Sequence, residues 1–454
     1  MKKDLIELLN KYDVPVPRYT SYPTVPYWNK QAFNTDKWLE IIKKRFVNEQ
    51  NELSLYIHLP FCEELCTYCA CNKRITKNHS TEAPYIEAVL KEWEMYLNVF
   101  PGNPIIREIH LGGGTPTFFS PEHLKKLIQG LVKDFKIFKD HEFSIEVHPN
   151  YSTFEHLQAL RSVGFNRISL GVQDFNYDVQ YIINRIQTFE ETKRVIDEAR
   201  QLGFESVNLD LIYGLPKQTL SSIEYTIEQT KLLMPDRIAF YSYAHVPWKS
   251  KGQRRYSDED VPAAAEKIAM YSLGNAMLSE AGFKSIGMDH FALPSDKLVK
   301  SYNNGSLHRN FMGYTTTNNK LLVGLGTSSI SDSWEAFAQN DKEVESYQDK
   351  INSGNWAFVS GHILSDLDIK IRKLIIDIMC QGNLALDTSF FSEQHLFYIQ
   401  KKWNEMEEDG LINWNELRLF VQPEGRLFIR NITSVIDQYL FEAGISKNQF
   451  SKAL

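Results

Sequence analysis

Four cysteines, Cys62, Cys66, Cys69 and Cys71, fall within ten residues of this 454-residue chain, in the run CEELCTYCAC; the fifth, Cys380, lies about 300 positions further on. A disulfide framework spreads an even number of cysteines along a small secreted chain, so this clustering excludes one. The spacing C-x3-C-x2-C-x-C lets several thiolates on one flexible loop converge on one soft metal centre, and thiolates select zinc, copper(I) or iron–sulfur clusters. Structural zinc usually takes two separated pairs of ligands and closes all four positions. No second, distant pair occurs here. Three thiolates on a [4Fe–4S] cube leave one iron open for a further ligand, and the pattern favours that reading.

Other residues able to do chemistry stand at comparable places along the chain: Gly112-Gly113-Gly114-Thr115, then Glu146 and His148, Gln173 and Asp174, Asp210 before the turn Gly214-Leu215-Pro216, and His245. A triple glycine lets a backbone approach a ligand closely and pair with its polar groups. Asp210 lies inside an apolar run, where a charge without a partner is costly, so a binding role is favoured. His58, just before the cysteine loop, reads equally as a proton-handling group or a satisfied core histidine.

The elements that must position these residues are short β-rich runs, each followed by a stretch of helical periodicity. The runs are Leu53–Leu59, Glu108–Leu111, Phe143–His148, Arg167–Val172, Ser206–Tyr213 and Arg237–Tyr243. Between them lie the amphipathic stretches Ala83–Val99, Pro121–Phe135, Thr188–Leu202 and Ser221–Leu233. Strand starts spaced by about 25 to 55 residues fit βα units, hence a parallel sheet, either open and doubly wound or an incomplete barrel. Both architectures bind ligands at the carboxyl ends of the strands, and the chemically able residues above all stand there.

Beyond about residue 360 the pattern changes to helices over Leu364–Cys380, Gln394–Glu408 and Asn431–Ala443, with a hairpin at Leu411–Leu427. Helices beside a hairpin suggest a winged helix. However, residues 361–454 carry 10 basic against 13 acidic side chains, the wrong sign for binding phosphate, so a packing or lid domain is expected. The whole chain is acidic as well, with a net charge of -7, so no global field draws nucleic acid or anionic lipid. No apolar run reaches the roughly 18 residues of a membrane helix, and the mean hydropathy of -0.35 agrees. The opening MKKDLIELLNKYD sets Asp4 and Glu7 in a short apolar stretch, which is not a secretory signal. A cytoplasmic location is expected.

With C-x3-C-x2-C placed after a first strand, the chain resembles the radical S-adenosylmethionine enzymes. The segments PRYTSYPT (17–24), YIHLPFCEELCTYCACNK (56–73), HLGGGTPT (110–117), GVQDFN (171–176), NLDLIYGLPKQT (208–219), IGMDHFA (286–292), LHRNFMGYTT (307–316) and GRLFIRNI (425–432) resemble more narrowly the oxygen-independent coproporphyrinogen III oxidases. The resemblance runs from about residue 10 to the C-terminus.

That resemblance implies an α/β fold: an incomplete (β/α)6, TIM-like barrel with its extension over residues 51–360. An N-terminal extension over 1–50 would pack on the active site, and a mostly helical C-terminal domain with a hairpin would span 361–454. It implies one [4Fe–4S] cluster held by Cys62, Cys66 and Cys69, two molecules of S-adenosylmethionine, and Cys71 as a catalytic thiol that is not a ligand. Tyr56, Glu146 and Ile330 would contact the first cofactor molecule. Tyr68, Gly113, Gly114, Thr115, Gln173, Arg185, Asp210 and Ala244 would contact the second. Tyr68 stands where relatives can carry phenylalanine. The implied reaction converts two propionates of coproporphyrinogen III to vinyl groups, giving protoporphyrinogen IX and two molecules of carbon dioxide. It needs an electron donor and an acceptor that the sequence does not name. The enzyme is expected to act as a monomer, without nucleic acid or a membrane span.

The substrate carries four carboxylates, for which Arg18, Lys249, Lys251, Arg254, Arg255 and Arg309 are candidate partners. Cys380 reads as a core residue. The alternatives are a haem chaperone of the same superfamily, a radical methyltransferase that opens the haem ring, and a zinc-stabilised binding protein. Chaperone relatives typically lack the cysteine at position 71 and the PRYTSYPT segment, and both are present here. The full-length match disfavours the methyltransferase.

Overall fold

Six β-branched and aromatic runs form the strands β1 (Glu52–Leu59), β2 (Ile105–Gly113), β3 (Lys136–Val147), β4 (Arg167–Gln173), β5 (Ser206–Tyr213) and β6 (Arg237–Ser242) in the computed structural model. The model describes residues 5–415, 417–444 and 449–452. Met1–Asp4, part of the opening read above, and Glu416 of the expected hairpin lie outside the described residues. β1 to β6 pair side by side in chain order and all parallel. A parallel sheet is covered on both faces by its crossover helices, which is why near-continuous apolar runs such as Leu53, Leu55, Ile57 and Leu59 are fully buried here.

The crossovers are helical over Glu82–Val99, Pro121–Val132, Phe154–Ser162, Phe189–Gln201 and Leu220–Leu233, and Ala264–Glu280 follows β6. Local chemistry sets several starts. Ser120 accepts from the His123 N–H ahead of Pro121, and Thr188 and Glu191 form a reciprocal capping box.

Residues 284–363, for which the sequence pattern named no elements, extend the sheet at both edges. Leu322–Leu325 pairs parallel with β1, and three antiparallel strands, Ile330–Asp332, Ala336–Asn340 and Phe358–Ile363, continue outward. At the other edge His290–Ala292 pairs antiparallel with β6, followed by Lys284–Ile286. These edges do not meet, so the twelve-stranded sheet stays open as an incomplete barrel.

A second apolar core joins Leu8, Leu9, Tyr12, Val16, Tyr19 and Tyr22 to residues of the C-terminal region, among them Ile375, Trp403 and Phe428. The helix Thr35–Asn48 packs instead into the barrel core through Trp38, Ile42 and Phe46. The C-terminal region has the helices Asp366–Gln381 and Glu393–Glu408 and the strands Ile412–Asn415 and Arg418–Val421. A third strand, Asn383–Ala385, which the sequence pattern did not separate from its surroundings, makes Arg418–Val421 the centre of a small antiparallel sheet. The helix expected over Asn431–Ala443 is two helices, Ile429–Ser434 and Gln438–Ala443. Asp437 breaks it: its buried carboxylate caps the N–H groups of Tyr439 and Leu440 and accepts from the Tyr19 hydroxyl. Cys380 is buried in a small core with Ile286, Leu298 and Tyr314, as its reading as a core residue expected.

Candidate active site

The cysteine loop leaves the carboxyl end of β1 and is closed at its base by a two-residue parallel ladder, Phe61 beside Arg74 and Cys62 beside Ile75. Inside it the backbone carbonyls are taken up by neighbours. Cys66 O accepts from Cys69 N, Cys69 O from Lys73 Nζ and Ser250 Oγ, and Tyr68 O from Gln253 Nε2. Asn184 Nδ2 holds Leu65 O, and the Thr67 N–H donates to Ile183 O. With its backbone satisfied elsewhere, the loop is fixed in shape and its sulfurs remain for a ligand.

Two sulfurs receive hydrogen bonds from outside the loop: Thr115 Oγ1 donates to Cys62 Sγ at 3.4 Å, and Arg185 Nη1 to Cys66 Sγ at 3.6 Å. A bond from the Cys71 thiol holds Cys69 down at about 6, and burial pushes Cys62 up to about 11. Among the described residues no three His, Cys, Asp or Glu side chains come close enough together to hold a single ion.

The glycine run at the end of β2 passes directly over this loop. Gly114 N donates to Leu59 O and Thr115 N to Phe61 O. A Cβ on Gly114 would lie 2.6 Å from Pro60 O, a backbone atom that cannot swing aside. Gly113 has φ of +115° and its N–H reaches Glu146 Oε2 at 3.3 Å. Glycine is required here for approach as well as for conformation.

Glu146 rises from β3 with its carboxylate on the cavity. Burial works against its charge, yet the bonds from His110 and the Gly113 N–H hold the carboxyl below its usual range, so it is an acceptor. Asp210, on β5, is not the partnerless charge expected from the sequence. Ser169 Oγ and Asn208 Nδ2 donate to it, at 3.1 and 2.8 Å. These donors are neutral, and burial raises its carboxyl to about 6. Gln173 has φ of +68° at a register shift between β4 and β5, a non-glycine residue held in a strained conformation at the cavity wall. Tyr56 stacks on His110 with ring centroids 5.9 Å apart, and its hydroxyl meets His58 Nδ1 at 3.0 Å. Because His58 Nε2 faces the Asn72 carbonyl, Nε2 carries the proton and Nδ1 accepts from Tyr56. His58 is thus a satisfied, buried, neutral histidine, the plainer of its two readings.

These side chains line two adjoining cavities. The larger, about 440 Å³, is walled by Cys62, Cys66, Cys69, Tyr68, Gly114, Thr115, Gln173, Arg185, Asp210 and Ala244. The smaller, about 330 Å³, is walled by Tyr56, His58, His110 and Ile330. Cys71, Gly113 and Glu146 belong to both walls and form the partition between them. Every residue singled out from the sequence as a cluster, cofactor or catalytic residue therefore lines one cavity or the other.

The expected basic residues divide. Arg18 lines the larger cavity and donates to Ser242 O at 3.0 Å, whereas Lys249, Lys251, Arg254, Arg255 and Arg309 line neither. Arg309 is buried beneath the ring of Tyr314. Sequence reasoning passed over Lys73, His110 and Tyr241, the first and last on the larger cavity, the second behind Glu146. Lys73 and His110 stand inside the motif segments 56–73 and 110–117, which was a usable signal. Tyr241 has none, since it reads as one more apolar residue of β6.

Comparison with known proteins agrees with this geometry. The Radical SAM superfamily model matches residues 56–230. The oxygen-independent coproporphyrinogen III oxidase of Pseudomonas aeruginosa is 38% identical over 456 residues, covering 99% of this chain and 98% of that protein. The Escherichia coli protein of the same name is 37% identical over 456 residues, again covering 99% and 98%. The solved structure of coproporphyrinogen III oxidase from Escherichia coli, described as a radical SAM enzyme, superposes with a TM-score of 0.89 at 35% identity, covering 97% of this chain and all of that one. The chain belongs to the oxygen-independent coproporphyrinogen III oxidases, within the radical SAM superfamily.

Proposed function

We propose that this chain oxidatively decarboxylates two propionates of coproporphyrinogen III to vinyl groups, releasing protoporphyrinogen IX and two molecules of carbon dioxide, in haem synthesis without oxygen. The observation that carries this reading is the meeting of three cysteines with the carboxyl ends of β2 to β6 around a single cavity. A propionate β-hydrogen sits on an unactivated carbon, beyond the reach of any side-chain base. A [4Fe–4S] cluster and S-adenosylmethionine, the cofactors of this family, supply on one-electron reduction the 5′-deoxyadenosyl radical that such a hydrogen requires.

The residues present fit these groups. Cys62, Cys66 and Cys69 would hold three irons, with Thr115 and Arg185 donating to the sulfurs and tuning them. Tyr56, Glu146 and Ile330 would contact the cofactor molecule at the cluster, Glu146 accepting from its hydroxyls or ammonium. Tyr68, Gly113, Gly114, Thr115, Gln173, Arg185, Asp210 and Ala244 would contact a second molecule. Arg18, Lys73 and Arg185 are the cations on the larger cavity, and they would face the carboxylates of a tetra-anionic substrate against the net charge of the chain. Cys71, on the partition, is proposed as the thiol needed for turnover. A single copy is proposed as the catalytic unit, with all these residues supplied by one chain.

The test is anaerobic reconstitution with iron and sulfide, followed by incubation with dithionite, S-adenosylmethionine and coproporphyrinogen III. The expected products are 5′-deoxyadenosine and the divinyl porphyrinogen. Absence of both sinks the reading.

A further inference from the structure

The stretch His245–Tyr256 (HVPWKSKGQRRY) carries Lys249, Lys251, Arg254 and Arg255 and no acidic residue, in a chain whose net charge is -7. All four cations are exposed, and no ion pair is found for them among the described residues. Arg254 bonds only the backbone of its own segment, at Pro247 O, and Arg255 lies over the ring of Tyr181. Of the acidic residues nearby, Asp260 pairs with Lys217 and Glu63 lies 3.7 Å from His79, while Glu64 lines the larger cavity; Asp258, 3.4 Å from His245, and Glu259 are exposed, and no ion pair from either to the four cations is found among the described residues. Four like charges left together on one short segment repel one another, an arrangement a counter-charged partner would relieve.

This segment is in direct contact with the cysteine loop. Ser250 Oγ donates to Cys69 O at 2.8 Å and Gln253 Nε2 to Tyr68 O at 2.7 Å. A Cβ on Gly252, in the turn Lys251–Arg255, would lie 3.2 Å from Thr67 O. Around the cations, large apolar groups stand in solvent: Trp248 is 47% exposed, Tyr181 58%, Tyr177 62% and Leu65 38%. None of the four cations lines either cavity.

We propose that the face made by Lys249, Lys251, Arg254 and Arg255 with the exposed Tyr181 and Leu65 docks a small acidic protein that carries a one-electron redox group. The proposal rests on the reading above that the cysteine loop holds an iron–sulfur cluster. In each encounter one electron leaves the carrier, whose redox group is oxidised by one unit, and the cluster is reduced by one unit; no bond is made or broken. An exposed cationic rim around a modest apolar centre is the form of a transient, charge-steered interface, which needs a fast on-rate more than a low Kd. Through the Ser250 and Gln253 bonds the carrier would sit against the same backbone that holds the thiolates.

The probe is an acidic flavodoxin in its reduced form. Its binding to the chain is measured by calorimetry at about 50 and 500 mM salt, and its rate of reducing the reconstituted cluster is followed by stopped-flow absorbance. Dithionite, which needs no docking face, serves as the parallel reductant. The expected result is binding that weakens steeply with salt. In the pair Lys251→Glu/Arg254→Glu, flavodoxin-driven reduction should slow about tenfold or more while the dithionite-driven rate and the iron content hold. The neutral pair Lys251→Gln/Arg254→Gln should fall between. Salt-independent binding by the unaltered protein overturns the proposal, as does equal slowing with both reductants, or tighter retention of a single-stranded oligonucleotide than of flavodoxin. Absence of a cluster that dithionite can reduce in the unaltered protein would instead overturn the reading on which the proposal rests.

Discussion

The guanidinium of Arg185 donates to the sulfur of Cys66, 119 positions earlier, at 3.6 Å while its other nitrogens hold the carbonyl of Gly171, so one side chain ties the end of β4 to the cysteine loop. A cation and N–H donor at a ligand sulfur stabilises the more negative, reduced state of a cluster. Arg185→Gln should therefore lower the cluster's midpoint potential and cut turnover about 10- to 100-fold, the usual loss when a group behind a ligand is removed. Redox titration followed by electron paramagnetic resonance checks the first effect. An unchanged potential would mean that the contact only positions the loop.

Cys71 is exposed on the partition between the cavities, two residues from Cys69, and shares a hydrogen bond with it. Cys71→Ser should leave the iron content and the visible spectrum in place and abolish product formation. Cys66→Ser should lose the cluster. Loss of the cluster in the first variant would make Cys71 a ligand.

Gly114 should be intolerant of even one methyl group, because its Cβ would meet the Pro60 carbonyl at 2.6 Å, inside the base of the cysteine loop. Overpacking of this kind costs about 1–3 kcal/mol. Gly114→Ala is expected to lower Tm by a few °C in differential scanning calorimetry and to weaken retention of iron. Gly305→Ala makes the comparison: its φ of +78°, which Gly114 does not share, adds backbone strain, but nothing lies within 4 Å of its Cβ position, so it should leave iron retention unchanged.

Glu92 is fully buried, accepting from the Gly326 N–H, Asn340 and Tyr347, and burial raises its carboxyl to about 7. An acid whose folded pKa lies above its unfolded value binds more protons when folded. Its contribution is full below about pH 4.5 and is lost as the pH rises through about 7, on the order of 3 kcal/mol in all. Urea unfolding of the wild type and Glu92→Gln across pH 4–8 isolates this residue. The difference in stability between the two should shift in favour of Glu92→Gln as the pH rises, and a difference that does not change with pH would refute the assignment.

Much of this protein could be read along its own sequence. Ser206–Tyr213 is a strand to the residue, and Glu82–Val99 and Leu220–Leu233 are helices to within one, because a buried parallel sheet and its amphipathic crossovers write their periods directly into the chain. The cysteine spacing, the glycine run and the carboxylates at strand ends are likewise local, since each follows its own strand. What the sequence could not settle was pairing at a distance. Nothing in Leu322–Leu325 says that it extends β1, nor in His290–Ala292 that it pairs with β6, because short strands are specified by the edge they meet. The same holds at the site. Asp210 looked like a bare charge until Ser169 and Asn208 were seen beside it. Of the six basic candidates, only Arg18 reached the cavity, while Lys73 reached it unforeseen. Residue types and spacing determined which chemistry the chain can support. Which side chains face one another across the two cavities was decided by the tertiary structure alone, because hydrogen bonds and burial depend on distances that no single strand or loop controls.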